Sequence, residues 1–136
     1  MSLFNILNIA GSAITAQSEK MNIVATNLAN ADSVIYKNEQ YYPYIAQRVV
    51  FKSFNLNQKG AKGVKVTKII NDKNPIQMIY DPNHPLSNSK GYVLKSNINP
   101  MTETIDHITA SRAYQANIEI LKTAKNMILK TLSIGE

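Results

Sequence analysis

The chain has 136 residues, a formal net charge of +6 from 15 Lys and Arg against 9 Asp and Glu, and no cysteine. This length points to one domain, and the missing thiols exclude disulfides, thiolate metal sites and a cysteine nucleophile. The surplus lysines read as spread along the chain, with Lys59 to Lys68 the nearest approach to a cluster. Nucleic-acid binders concentrate Lys and Arg on one face, so a solvated basic surface is the favoured reading and a basic helical module binding nucleic acid is the alternative.

The N-terminal segment, residues 1–31, keeps helical time. Leu3, Leu7, Ala10, Ile14, Gln17, Met21, Val24, Leu28 and Ala31 follow one another in steps of four and three, with only Gln17 polar. That is a heptad-like seam. Its alanines allow close helix approach but bury little area, so the helix needs neighbours. The segment has no basic n-region and its apolar residues are interrupted by Asn, so it reads as mature protein rather than a cleaved signal peptide. No stretch has the length and apolarity of a membrane span.

Residues 32–98 read as a small β-rich insert. Tyr36, Tyr41, Tyr42 and Tyr44 crowd together in a mixed stretch, Gln47–Phe54 is β-prone, and Asn55–Gly63 is a polar loop with two glycines. Val64–Ile70 and Ile76–Tyr80 read as strands, and the five-residue turn between them predicts that they pair as a hairpin. Asp81–Pro85 and Ser87–Gly91 are turns, and Tyr92–Lys95 is a short strand. The tyrosines could form a base-stacking platform, but no arginines are interleaved with them.

Residues 99–136 predict one long helix, with Asn99 as N-cap, Pro100 at the first position and Gly135 at the stop. Ala113, Asn117, Ile120, Ala124, Met127, Thr131 and Ile134 form one row, and Tyr114, Ile118, Leu121 and Ile128 a second beside it. The face is broader than one partner helix would cover. The predicted fold is therefore α+β: two long terminal helices packed as a coiled-coil-like pair around the insert, all one structural unit.

No side-chain constellation carries chemistry. Glu103 and His107 have i,i+4 spacing and read as a surface pair without a third ligand; Ser111 and His107 have no oxyanion hole beside them; His84 sits in a turn between two prolines. No cofactor, metal or small-molecule substrate is expected, and the chain does not read as an enzyme. Self-assembly is the function the pattern favours. The expected assembly interface comprises Leu7, Ile14, Met21, Val24 and Leu28 with Ala113, Tyr114, Asn117, Ile120, Leu121, Ala124 and Ile128.

Two motifs add a resemblance. IAGSAITAQSEKMNIVATNLANADSV at Ile9–Val34, with NLANADS at Asn27–Ser33, and ASRAYQANIEILKTAKNMILKTLSIGE at Ala110–Glu136 resemble the matching ends of flagellar rod and hook proteins. RVVF at Arg48–Phe51, GVKV at Gly63–Val66, YDPNHPL at Tyr80–Leu86 and KGYV at Lys90–Val93 fit one branch of that family. The resemblance implies a proximal-rod subunit of the bacterial flagellar basal body. It also implies export by the flagellar type III apparatus without a cleaved signal peptide, and polymerisation into a hollow periplasmic shaft. Terminal helices would pack in the inner layers. Partners would be further copies, other rod proteins, and export-gate and basal-body ring components. Tyr114, Gln115 and Asn117, in the ASRAYQAN stretch, are expected to set register and neighbour choice.

Overall fold

A computed structural model of the chain describes residues 3–37, 40–56 and 60–135. Ser2, Lys59 in the expected polar loop, and Glu136 lie outside the described residues. The element order is α1 (Leu3–Ala29), β1 (Val34–Lys37), β2 (Gln40–Pro43), β3 (Gln47–Asn55), β4 (Lys62–Asn71), β5 (Gln77–Tyr80), β6 (Tyr92–Lys95) and α2 (Pro100–Ile134). The architecture is α+β: two long helices, and between them three antiparallel strand pairs.

At 1.5 Å per residue, α1 is about 40 Å long and α2 about 52 Å. Asn99 caps α2 as its sequence predicts. Its Oδ1 accepts hydrogen bonds from the Met101 and Thr102 backbone N–H groups, at 3.0 and 3.4 Å, and Pro100 takes the first helical position. At the other end Gly135 remains in the right-handed region, and its N–H bonds to the Leu132 carbonyl at 3.1 Å. The helix therefore stops on a tightened last turn rather than on a left-handed cap.

The strands pair differently from the sequence expectation. Val64–Ile70 does not fold back on Ile76–Tyr80. Instead β4 pairs with β3, bringing Val49 opposite Ile69 and Phe51 opposite Val66, while β5 pairs with β6. The longer ladder is the one that α1 packs against, leaving Val49, Val64 and Val66 half-buried while Phe51, Ile69 and Ile70 stay exposed. The Asp72 N–H bonds to the Ala46 carbonyl at 2.7 Å, and the Asp72 carboxylate accepts from the Asn74 backbone at 3.2 Å. That turn carries the chain out of the β3–β4 ladder before β5 begins. The tyrosine-rich stretch is a hairpin as well, β1 against β2, with Tyr36 and Tyr41 opposite each other and their rings 4.8 Å apart.

Gly63 fixes the hairpin to the helix. A Cβ there would lie 2.8 Å from Ser12 Oγ and 3.0 Å from the Phe54 ring. The same hydroxyl donates to the Ile9 carbonyl and accepts from the Val64 N–H, so it cannot easily move aside. Gly63→Ala should cost about 1–3 kcal/mol through overpacking. Gly11→Ala, where nothing lies within 4 Å, should instead stabilise α1 by up to about 1 kcal/mol. Thermal melts of the two variants, shifted in opposite directions, check both statements.

The core is thin. Its buried apolar residues are mostly alanines, Ala10, Ala16, Ala46, Ala61, Ala110 and Ala124, with Val24 and Ile98. The accessible surface is 9743 Å², whereas a compact protein of this mass exposes about 7,100 Å². The excess follows from two long rods with alanine between them.

Candidate assembly surface

The helix pair is antiparallel. Asn27 near the end of α1 meets Glu103 at the start of α2, Lys20 meets Asp106, and Ile6 lies beside Ala124 and Met127. Of the described elements, α1 is the one that α2 packs against. Along α2 the buried positions Glu103, Ala110 and Ala124, with half-buried Asn117 between them, recur every seven residues. Small residues on that line bring the backbones together, and longer side chains straddle it.

The residues expected at the interface divide accordingly. On α1, Val24 is buried and Leu7, Ile14, Met21 and Leu28 are half-buried; on α2, Ala124 is buried and Ala113, Tyr114, Asn117, Leu121 and Ile128 are half-buried. Ile120 is 48% exposed. Of the two rows on α2, the one through Tyr114, Ile118, Leu121 and Ile128 is the more covered, and Ile120, Met127, Thr131 and Ile134 of the other are exposed. Asn117 spends its amide on its own helix, donating to the Ala113 carbonyl at 2.7 Å.

Much of what remains bare is apolar. Ile6, Ala116, Ile120, Thr123 and Met127, with Glu119 among them and buried Ala124 at the floor, line a shallow hollow of ≈ 560 Å³ across the two helices. Past it, the last turns of α2 extend beyond the start of α1, with Leu129, Leu132 and Ile134 exposed, the last at 84%. Phe4, Met101, Ile105 and Ile108 are also exposed. Exposed apolar side chains in this number make the helix pair the candidate interaction surface.

A buried polar junction, absent from the sequence reading, holds the pair at its other end. Asn27 is 1% exposed and Glu103 3%. Asn27 Nδ2 donates to the Gln47 carbonyl at 2.8 Å and to Glu103 Oε2 at 3.0 Å. Asn27 Oδ1 accepts from the Gln47 N–H at 2.9 Å and from the Tyr44 hydroxyl at 3.4 Å. Both donors and both lone pairs of the amide are thus used. Burial raises the Tyr44 hydroxyl pKa, and the nearby Glu103 adds to it. Glu103 is therefore not a surface partner of His107, because its carboxyl is turned into this junction. The one hint in the sequence is that Asn27 opens the NLANADS motif.

Charges frame the junction. Lys20 Nζ lies 3.5 Å from Asp106, Arg48 Nε 2.7 Å from Asp72, and Arg48 Nη1 3.9 Å from Asp106. The hydrogen bond from Arg48 holds the Asp72 carboxyl below its usual range, and the Asn74 backbone N–H contributes. Because the folded pKa is the lower, this contribution is present at neutral pH and is lost as pH falls through the folded value, below about 4. Asp72→Asn should cost about 0.5–1 kcal/mol at pH 7, with Arg48 half-exposed and screened, and should flatten the acid limb of stability. Urea titrations of both proteins at pH 7 and pH 3 check the sign. A contrasting feature lies on α1, where Gln17 Oε1 is buried without a hydrogen-bond partner among the described residues.

The remaining candidates for chemistry have structural partners or stand apart. His84 Nδ1 accepts from the Leu86 backbone at 3.1 Å inside its turn. Among the described residues no group of three His, Asp or Glu could hold a metal ion, and no helix is long and apolar enough to cross a membrane.

Two family models match the chain. That of the flagella basal body rod protein covers residues 7–37, and that of the flagellar basal body rod FlgEFG protein C-terminal covers residues 89–134. The matched segments contain most of α1 and α2. Among curated proteins, the flagellar basal-body rod protein FlgC of Buchnera aphidicola subsp. Schizaphis graminum is 64% identical over 136 residues, all of both chains. The proteins of the same description from Escherichia coli O157:H7 and Salmonella typhimurium are each 46% identical, again over all of both chains.

Proposed function

The chain belongs to the FlgC family of flagellar basal-body rod proteins, and on that premise we propose how it performs its part. It is a structural subunit of the basal-body rod. The full-length similarity to FlgC proteins carries this reading, and the helix geometry supports it. A subunit that kept all its apolar surface inside would have nothing to polymerise with; this one leaves a strip along α2 and the start of α1 bare.

Residues 1–31 and 99–136 act as rod helices and residues 32–98 as the insert of one structural unit. Burial of Leu7, Ile14, Met21, Val24 and Leu28 with Ala113, Tyr114, Asn117, Ile120, Leu121, Ala124 and Ile128 stabilises first the pair and then the polymer. The half-buried members among them lose the rest of their exposed area to neighbouring helices, at about 25 cal/mol per Å² of apolar surface. Partners are further copies and other rod proteins, with export-gate and ring components around them. The chain works in the proximal rod, in the periplasm, and its role is non-enzymatic.

The test is replacement. Expressed in an Escherichia coli strain lacking its own FlgC, the chain should enter isolated basal bodies and restore hook assembly. Its absence from basal bodies, despite normal synthesis and export, would count against the proposed role.

A further inference from the structure

The net positive charge of the chain falls within residues 47–71 of the sequence. Residues 47–71 contain six of the 15 basic residues, Arg48 and Lys52, Lys59, Lys62, Lys65 and Lys68, and no Asp or Glu. The other nine basic residues are balanced by the nine acidic ones. Five of the six, Arg48 and Lys52 on β3 and Lys62, Lys65 and Lys68 on β4, lie on one pair of strands.

The register concentrates it further. Lys52 stands directly opposite Lys65, and Lys68 opposite Val50, two residues along β3 from Lys52. Directly opposed residues share a face, as do residues two apart on one strand, so Lys52, Lys65 and Lys68 lie together on one side of the ribbon. All three are exposed, and none is ion-paired among the described residues. Lys65 sits 5.5 Å from the centre of the Phe54 ring. Like charges directly opposite destabilise a ladder. Arg48, at the root, is engaged with Asp72 and Asp106.

We propose that this lysine face is a docking surface for an acidic protein surface on a different component of the assembly. The inference rests on the rod-subunit reading. A second copy is a poor occupant: among the described residues Asp72, Glu103 and Asp106 are engaged near the hairpin root, Asp32 is within 3.6 Å of Lys95, Glu119 is within 3.9 Å of Lys122 and Asp81 accepts from the Asn83 N–H, which leaves Glu19 as a single carboxylate rather than an acidic face. Nucleic acid fits less well. The face offers no unengaged arginine for bidentate phosphate contacts, and Phe54 is half-buried beneath Lys65 rather than open for stacking. Lysines alone suit carboxylates met as point charges, which steer encounter and suppress wrong partners.

The test compares two full-length variants of equal charge loss, K52Q/K65Q/K68Q and K90Q/K122Q/K125Q. Both should fold, and the first should melt no lower than the parent because it relieves the opposed pair. On immobilised poly-L-glutamate the hairpin variant should bind about tenfold more weakly while the control changes little. K52R/K65R/K68R should bind like the parent. In cells, the hairpin variant should enter basal bodies poorly and the control normally. Equal binding losses in the two variants, or normal entry of the hairpin variant, would overturn the proposal while leaving the rod reading intact. So would a larger loss on phosphatidylglycerol vesicles or duplex DNA than on polyglutamate. If the parent itself does not enter basal bodies, the rod reading fails instead.

Discussion

Asn27→Ala should destabilise the folded chain by about 3–4 kcal/mol, the largest loss expected from any single truncation. Alanine removes both donors and both acceptors of the amide. The Gln47 N–H and carbonyl and the Glu103 carboxyl then remain at a site where Asn27 and Glu103 are buried. Each unsatisfied buried group costs about 1–3 kcal/mol, reduced where water can enter. Against a total stability of about 5–15 kcal/mol, the melting temperature should fall by roughly 10 °C or more. Asn27→Asp provides the contrast. It removes the donors and puts a second carboxyl 3.0 Å from the Glu103 oxygen. The variant should be at least as unstable at pH 7 and should recover partly in acid, as one carboxyl takes up a proton. Asn27→Ala leaves a single buried carboxyl without its donor and should recover less in acid than the two-carboxyl variant. Circular-dichroism melts across pH separate the two, and a loss below about 1 kcal/mol for both would mean that the junction does not hold the helices.

That junction also marks where sequence reasoning stops. The terminal helices were legible because apolar residues recur in steps of three and four over long runs, and because Asn99 and Pro100 form an unambiguous start. The same logic misplaces Glu103 and gives no reason to single out Asn27. Helical periodicity assigns polar side chains to the solvent side, and only the strand entering beside α1 gives Asn27 its partners in the Gln47 backbone. The positions of β3 to β6 were legible from β-prone runs, but their pairing was not, and β1 and β2 lay in a stretch that read only as mixed. Sequence proximity favours Val64–Ile70 with Ile76–Tyr80, yet the ladder that forms is the longer one that α1 packs against. Charge behaves alike: lysines spaced three apart from Lys59 to Lys68 read as scattered until the register sets Lys52 against Lys65. On α2 the breadth of the apolar face was legible, but which row turns inward was not. That depends on where the alanines of the two helices meet.

This last distinction separates folding from assembly. Ile120→Asp should leave the isolated chain folded, with stability changed by no more than about 1 kcal/mol. Half of the residue is already in water, and the change in helix propensity is small. In the assembled rod the same aspartate would sit in the hollow among Ile6, Ala116, Thr123 and Met127, beside a second carboxylate at Glu119. A neighbour's apolar side chains would replace water there, and burying an unpaired carboxylate costs several kcal/mol. Incorporation into basal bodies should therefore fall at least about a hundredfold, since each 1.4 kcal/mol is a factor of ten. Leu28→Asp should also abolish assembly, but by a mixed route. Leu28 is half-buried at the end of α1, one residue from the Asn27 junction, so the folded chain should lose stability too. Melting curves of the purified chains and quantification of each variant in isolated basal bodies distinguish the two cases. Normal incorporation of Ile120→Asp would remove the hollow from the rod interface and leave the α1–α2 pair as a purely internal contact. Stable Ile120→Asp monomers that fail to incorporate would instead show that the excess surface of the helix pair is held open for its neighbours.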